Sequence, residues 1–271
     1  MNQDRETYVR QSSLGLEVPK AVAVVGCGGV GSWTAYLLAM AGVENIWLWD
    51  HDTLSEHNRG RMPVAAESWN PETGAMYSNI GKPKTEVVAR LIKSVRPNCK
   101  VLAMGMFTAE VAETVGLGKE VSWIIATTDT WSSRQEIKAW ADENSIKYLE
   151  ASAEGEFGGV TGEPADFATE RETERGYASV PVWVGSSVMA ATLVAYHVLH
   201  GGELGDASVR IGWQDGGLDV QVPETLPEEP ELCDNCGLSE ELHTPQNGVE
   251  HEYTHVDEPA PASIEMTERE G

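Results

Sequence analysis

The stretch AVAVVGCGGVG at residues 21–31 decides the fold. Its first six residues form a short apolar run that ends in glycine, which is the pattern of a strand buried on both faces. Residues 31–41 then carry apolar side chains at helical spacing and stop at Gly42, and residues 43–49 return to strand character. Such a β-α-β unit of about 30 residues requires a right-handed crossover and a parallel sheet.

Strands and helices continue to alternate downstream. A second helix is predicted at Lys84–Val95, with Pro83 near its start and Pro97 after its end, and a third at Trp131–Asn144. Further strands are predicted at Lys100–Met104, Ser122–Ala126 and Lys147–Ser152. This alternation predicts an α/β fold with a doubly wound, mostly parallel sheet.

The chain after residue 180 has a different pattern. Val182–Leu199 is composed almost entirely of small and apolar residues, which predicts a buried helix. Val209–Trp213 and Leu218–Val222 flank Asp215-Gly216-Gly217, a sequence that favours a hairpin turn. We therefore expect antiparallel strands at the C-terminal side of the sheet.

The composition narrows the class of protein. The chain has 271 residues with 19 Lys and Arg against 43 Asp and Glu, so its formal charge is −24 and its sequence pI is near 4.5. Phosphate neutralisation needs a basic face, so this balance argues against a general nucleic-acid binder. No apolar run reaches the roughly 18 residues that span a bilayer, residues 1–10 are polar, and the four cysteines do not suggest a secreted disulfide framework. We expect a cytoplasmic protein with neither a membrane nor a nucleic acid as partner.

The negative charge is concentrated near the end of the sequence. From Glu224 to Gly271 there are 14 acidic residues and one basic residue, Arg269. Residues 242–271 are rich in Pro, Glu, Thr and His, so burial there does not offset the entropy of ordering the chain. The sequence predicts one folded domain at residues 1–241 and a disordered acidic tail at 242–271. Such a tail is either simply solvated or an arm that binds a partner.

The turn between the first strand and the first helix is rich in glycine. Its glycines are Gly26, Gly28, Gly29 and Gly31. Glycine lets the backbone approach a phosphate closely and directs helix-terminal N–H groups at an anion. Asp50 follows about 20 residues later, at the end of the second strand, where a carboxylate accepts ribose hydroxyls. These features alone fit an NAD-dependent oxidoreductase, or a glycine-rich turn that binds nothing.

The sequence after the second strand departs from the dehydrogenase pattern. Residues 50–61, DHDTLSEHNRGR, resemble the D-x-D-x-V-x-x-S-N-L-x-R-Q signature of the ubiquitin-activating-enzyme-like adenylyltransferases, the ThiF/MoeB family. Four further segments resemble that family's motifs in its order: YVRQ at residues 8–11, GKPK at 81–84, RPNCKV at 96–101 and TTD at 127–129. The resemblance spans residues 8–236 and implies the Rossmann-like fold of the ThiF/MoeB type.

The resemblance implies a reaction and the residues that perform it. In the family, a C-terminal carboxylate attacks the α-phosphorus of ATP, giving an acyl-adenylate and pyrophosphate. Such a carboxylate has a pKa of about 3.5 and is ionised at pH 7, so no general base is needed. By resemblance Asp50 holds the ribose, and Asp52 either lies near the metal or shapes the turn. The remaining roles carried over are phosphate contacts by Asn58, Arg61 and Lys84, Mg²⁺ binding by Asp129, and contact of Arg10 with the ATP of the other subunit in a homodimer.

Two features differ from the family pattern. Family members often bind a structural zinc with two C-x-x-C pairs, whereas this sequence has one pair, Cys233 and Cys236. That pair either holds Zn²⁺ with help from tail histidines or is vestigial or redox-active. Residues 155–179 contain no cysteine, so we predict no enzyme-bound thioester on that loop. Cys27 and Cys99 are interpreted as packing residues.

The resemblance favours activation of a ubiquitin-like or sulfur-carrier protein, or a peptide, ending in glycine. One alternative is the NAD-dependent oxidoreductase, which gives no role to Arg61, Lys84 and Asp129. A second keeps the fold and ATP but activates a carboxylate on a tRNA base, for which a local basic pocket would suffice despite the net charge. A third is a non-catalytic interaction module whose acidic tail is the functional part.

Overall fold

The computed structural model describes residues 8, 10–11, 13–70, 73–164, 182–205, 207–214 and 217–221. The predicted acidic tail and the pair Cys233 and Cys236 lie outside these residues. Among the helices that the structure describes, none has the length and apolar character needed to cross a membrane.

Strands and helices alternate along much of the described chain. In order along the sequence the strands are β1 Ala21–Val25, β2 Asn45–Trp49, β3 Glu67–Asn70, β4 Ala75–Ser78, β5 Lys100–Met104, β6 Trp123–Ala126, β7 Lys147–Glu154, β8 Phe157–Thr161, β9 Ser208–Gln214 and β10 Gly217–Gln221. The helices are α1 Gly29–Ala41, α2 Lys84–Val95, α3 Ala109–Thr114, α4 Trp131–Glu143 and α5 Val184–His200. Short 3₁₀ turns lie at Glu56–Asn58 and Leu117–Lys119.

In the described part of the chain, eight strands form one sheet in the order β10-β9-β8-β7-β6-β1-β2-β5. The five strands from β7 to β5 run parallel to one another. Strands β8, β9 and β10 extend the sheet in antiparallel fashion, and β9 and β10 form the expected hairpin. The prediction of a mostly parallel, doubly wound sheet with C-terminal antiparallel strands is confirmed.

Strand β1 shows why its sequence is apolar throughout. Val22 and Val24 belong to a hydrophobic cluster with residues of α1, α2 and α5. Ala21, Ala23 and Val25 face the opposite side, where they join a cluster with residues of α3 and α4. Because helices cover both faces, every residue of the strand is buried and no polar alternation is possible.

The order of the parallel strands creates a crevice beside β1. From β1 the chain moves outward to β2 and β5, then returns to place β6 on the other side of β1. The strand order therefore reverses between β1 and β6, and ligands of open α/β sheets bind at the carboxyl ends of strands at such a switch point. The glycine turn and residues 127–129 both follow these strand ends.

Four strands and helices were not predicted: β3, β4, α3 and β8. The hairpin β3–β4 exposes Trp69 and Met76 to solvent, so it lacks the buried alternation that identifies a strand. Helix α3 is only six residues long. Strand β8 has the sequence FGGVT, and a β-carbon at Gly158 would collide with the backbone of α5 at Ser186 and Ala190. Gly158 therefore admits the helix, although glycine normally disfavours a strand.

Candidate functional site

A cleft of about 1060 Å³ opens at the carboxyl ends of β1, β2 and β6. Most of the residues singled out from the sequence line it: Gly26, Gly28, Gly29, Asp50, Asp52, Asn58, Arg61, Lys84 and Asp129. They come from segments far apart in the sequence, and the crevice at the switch point brings them together. The cleft is therefore the candidate functional site.

The glycines of the turn have different functions. Gly26 has a φ of +95°, and a β-carbon there would lie 2.7 Å from the carbonyl oxygen of Thr127. At Gly31, a β-carbon would overlap the carbonyl oxygen of Gly26, so this glycine lets α1 pack against the turn. At Gly28 the added carbon would meet no described atom within 4 Å. The position beside Gly28, at the N-terminus of α1, is thus open.

Asp50 connects two segments of the cleft wall. One carboxylate oxygen accepts a hydrogen bond from the backbone N–H of Cys27 at 2.7 Å, and the other accepts from the backbone N–H of Asp52 at 2.7 Å. Each carboxylate oxygen has a second lone pair, so Asp50 retains acceptor capacity for a ligand hydroxyl. Its carboxylate fixes the glycine turn relative to the segment after β2.

Lys84 lies in an unusual position for a lysine. It is the first residue of α2, where the helix dipole disfavours a cation, and its side chain is only 10% exposed. Its Nζ donates to Oδ2 of Asp52 at 2.6 Å, while the Asp52 side chain is 54% exposed. The hydrogen bond from Lys84 lowers the pKa of Asp52, with further contributions from the charges of Lys84, His51 and His57. A cation is thus held at the cleft at some cost to helix stability.

Asn58 and Arg61 are positioned by a short 3₁₀ turn. Oδ1 of Asn58 accepts hydrogen bonds from the backbone N–H of Ser55 at 3.0 Å and from its hydroxyl at 2.8 Å, which caps the turn. The carbonyl oxygen of Arg61 accepts from Nε1 of Trp33 at 3.0 Å, so the segment is tied to α1. Nε of Arg61 is buried and has no hydrogen-bond partner among the described residues.

The loop that carries Asp129 is held by a residue that the sequence reasoning missed. Arg134, in α4, donates from Nε to the carbonyl oxygen of Thr128 at 2.8 Å and from a terminal nitrogen to Glu150 at 2.7 Å. The Arg134 and Glu150 side chains are 8% and 1% exposed. The D-x-x-x-x-R spacing from Asp129 was visible in the sequence, but the partner on β7 was not. This buried ion pair therefore links the loop before Asp129 to strand β7.

Two hydroxyls in the cleft wall were also missed. Oγ of Ser187, in α5, and Oγ1 of Thr128 are both buried and make no hydrogen bond within the described part of the chain. By contrast, the neighbouring Thr127 hydroxyl donates to the carbonyl oxygen of Gly26 at 2.8 Å. No sequence pattern distinguishes these residues, because the difference arises from which way each hydroxyl faces.

Some residues predicted for the site lie elsewhere. Arg10 is on an exposed turn and does not line the cleft, and Gly31 is buried in the first turn of α1 and does not line it either. Cys27 and Cys99 are fully buried, and burial is the main cause that raises the pKa of each thiol. The interpretation of both cysteines as packing residues is therefore confirmed.

Carboxylates and a histidine gather after β2. Ligand atoms of Asp50, His51 and Asp52 lie within 4.8 Å of one another. However, both oxygens of Asp50 accept backbone hydrogen bonds, and Asp52 is paired with Lys84. Asp129 stands exposed on the other side of the cleft. Asp129, which takes part in none of these contacts, therefore offers the more accessible carboxylate for a hard cation such as Mg²⁺.

The donors of the cleft fit a polyphosphate. Arg61, Lys84 and the N-terminus of α1 all face the same space, and the unpartnered Nε of Arg61 and the open position at Gly28 match the needs of an anionic ligand. The fold and the cleft define the class as a doubly wound α/β protein with a glycine-rich turn at its switch point. The family model described as "ThiF family" matches residues 18–174, and the chain belongs to that family.

Two curated relatives match part of the chain. The tRNA threonylcarbamoyladenosine dehydratase of Escherichia coli K12 is 29% identical over 147 residues, which is 54% of this chain and 50% of that protein. Ubiquitin-like modifier-activating enzyme 5 of Drosophila virilis is 27% identical over 143 residues, which is 49% of this chain and 33% of that protein. The chain therefore matches half or less of the length of these curated relatives.

A solved structure shares the fold. The crystal structure of E. coli MccB with ATP has a TM-score of 0.57 and 17% sequence identity, covering 77% of this chain and 65% of that one. This similarity is consistent with the ThiF/MoeB-type sheet described above.

Proposed function

We propose that this chain is an ATP-dependent adenylyltransferase that activates the C-terminal carboxylate of a ubiquitin-like or sulfur-carrier protein, or of a peptide. The observation that carries the proposal is the convergence of Arg61 and Lys84 with the N-terminus of α1 in one cleft. A carboxylate and a triphosphate repel each other, so their reaction requires cations and directed N–H groups. Membership of the ThiF family and the ATP named in the MccB structure support this choice.

In this proposal each residue of the cleft has a separate role. Asp50 accepts hydrogen bonds from the ribose, and Arg61 and Lys84 neutralise the phosphates, assisted by the side-chain amide of Asn58. Asp129 would hold Mg²⁺, and the ion would supply further neutralisation of the phosphate charge. The substrate carboxylate forms a bond to the α-phosphorus as the bond from that phosphorus to the bridging oxygen breaks, and pyrophosphate leaves. Since the carboxylate is already ionised, the protein supplies in-line positioning and charge neutralisation.

A nicotinamide cofactor explains less of the cleft. A dinucleotide would use the glycine turn and Asp50, but it gives Lys84 no reason to lie at the start of a helix with its side chain nearly buried. The two ligands can be compared directly. Mg-ATP at 100 times its Kd should raise the Tm by about 5 °C, because a ligand that binds only the native state stabilises it by mass action. NADH should leave the Tm unchanged.

Two variants make this comparison specific. Asp129→Ala should reduce the shift caused by Mg-ATP, whereas Glu143→Ala, which removes an exposed carboxylate outside the cleft, should preserve it. A Tm shift with NADH and none with Mg-ATP would refute the adenylyltransferase and restore the oxidoreductase.

We also propose a homodimer in which Arg10 contacts the nucleotide of the partner. Arg10 lies on an exposed turn outside the cleft of its own chain, so such a contact requires a second copy. Mixing inactive Arg10→Ala and Lys84→Ala proteins should then restore ATP turnover, because a mixed dimer contains one complete site. If the mixture stays inactive although mixed dimers form, Arg10 does not act across subunits.

Activation of a carboxylate on a tRNA base is the second candidate, and the name of the E. coli relative favours it. Against it stands the formal charge of −24, since tRNA binding needs a basic surface. Total tRNA added to the protein with Mg-ATP should have no effect on pyrophosphate release if the substrate is a protein or peptide. Stimulation that disappears at high salt would select the tRNA reaction instead.

A further inference from the structure

Two adjacent serines in the first turn of α5 have opposite surroundings. Ser186 is buried, and its hydroxyl donates to the carbonyl oxygen of Trp183 at 2.9 Å, with that of Gly155 3.0 Å away. Ser187 is 1% exposed and lines the cleft, but its hydroxyl has no hydrogen-bond partner in the described ranges. Leaving a buried hydroxyl unpaired is destabilising, and most buried polar side chains avoid it. Ser187 therefore has a donor available where the cleft needs one.

The position of Ser187 indicates what it binds. A β-carbon built on Gly29, the first residue of α1, would lie 2.9 Å from Oγ of Ser187 and 3.3 Å from Cδ of Arg61. The Ser187 hydroxyl and the Arg61 side chain thus both lie beside the first residue of α1, close to the helix's N-terminal N–H groups. Nε of Arg61 is likewise buried and unpartnered among the described residues. Donors from three separate segments converge where an anion would be stabilised.

We propose that Ser187 is a phosphate-binding residue whose hydroxyl donates to a phosphate oxygen of the nucleoside triphosphate at the N-terminus of α1. The inference rests on the proposed function, and it adds α5 to the elements that form the phosphate subsite. It also explains why a helix from the C-terminal part of the chain begins at the cleft. In the first turn of α5, Ser186 hydrogen-bonds the protein backbone and Ser187 donates to the ligand.

The two serines provide a matched pair for the experiment. Ser187→Ala and Ser186→Ala remove the same atom from neighbouring buried positions, and each variant is titrated calorimetrically with Mg-ATP and with adenosine. Ser187→Ala should weaken Mg-ATP binding about 10-fold to 100-fold, as expected for a hydrogen bond to a charged group, and leave adenosine binding unchanged. Ser186→Ala should bind Mg-ATP as the wild type does but melt at a lower temperature.

The Tm of the ligand-free protein is a second readout. Because Ser187 has an unpaired hydroxyl, Ser187→Ala should melt at the same temperature as the wild type or higher. A lower Tm would show that the hydroxyl is used within the protein, which would overturn the inference. If the wild type binds Mg-ATP and Ser187→Ala binds it equally well, the inference is wrong but the proposed function stands. If the wild type does not bind Mg-ATP, the proposed function fails and the inference fails with it.

Discussion

Two ion pairs border the cleft, and they differ in what surrounds the carboxylate. In the pair Arg134–Glu150 both side chains are buried, and the arginine also binds the carbonyl oxygen of Thr128. In the pair Lys84–Asp52 the cation is nearly buried but the carboxylate is about half exposed. We call Arg134–Glu150 the closed pair, because both of its side chains are buried, and Lys84–Asp52 the open pair, because its carboxylate is partly exposed. Breaking a closed pair is strongly destabilising, which suits a structural role, whereas in an open pair the cation can also contact a ligand. The comparison separates residues that build the cleft from residues that act in it.

The largest expected effect is on the closed pair. Glu150→Ala should lower the free energy of unfolding by about 3–5 kcal/mol, because it leaves the Arg134 guanidinium buried without its counter-charge. Urea denaturation monitored by tryptophan fluorescence measures this change. The double variant Arg134→Met with Glu150→Leu should lose less than the single variant, since it removes both charges. A loss below about 1 kcal/mol for Glu150→Ala would show that this buried pair does not stabilise the fold as proposed.

The open pair should give the next largest effect, on ligand binding instead of folding. Lys84→Met keeps most of the buried side-chain volume but removes the cation, so Mg-ATP-dependent activity should fall about 100-fold to 1000-fold. The free energy of unfolding should change by less than about 1 kcal/mol, because Asp52 remains hydrated. Steady-state kinetics and urea denaturation together test both statements.

Lys82→Met is the matched control for Lys84. This lysine lies two residues earlier, is exposed and does not line the cleft, so its replacement should leave both activity and stability unchanged. If Lys84→Met unfolded as easily as Glu150→Ala while ATP turnover persisted, the distinction between the two pairs would be wrong.

The smallest effect concerns pH. Lys84 lowers the pKa of Asp52 in the folded protein below the ordinary value of 3.8. Asp52 therefore stabilises the fold above its unfolded pKa, and this contribution disappears as the pH falls through the lowered folded pKa. Because the carboxylate is about half exposed, the contribution is at most about 0.5 kcal/mol. Urea denaturation should show Asp52→Asn slightly less stable than the wild type at pH 6, with the difference shrinking below pH 3.8. A constant difference across this range would contradict the assignment.

The sequence predicted the parallel part of the fold well because strong local signals determine it. Helix Lys84–Val95 begins and ends at the predicted residues, since Pro83 and Pro97 bracket its apolar periodicity. Strand β8 was missed because its two glycines serve contacts with distant parts of the chain, which local propensity does not reveal.

The candidate site was predictable to the extent that motifs mark it. Asp50, Arg61 and Lys84 lie in segments with a recognisable family pattern, and the structure brings them to one cleft. Glu150 and Ser187 have no such pattern: one depends on a partner in α4, and the other on the direction of a single hydroxyl. Residues of this kind are identified only when the packing of the chain is known.

A crystal structure of the protein with Mg²⁺ and a non-hydrolysable ATP analogue would locate the nucleotide directly. We expect the triphosphate at the N-terminus of α1, within hydrogen-bond distance of Lys84 and Arg61, and the ribose hydroxyls at Asp50. A triphosphate bound away from Lys84 and Arg61, or an analogue that does not bind in the cleft while NADH does, would contradict this expectation.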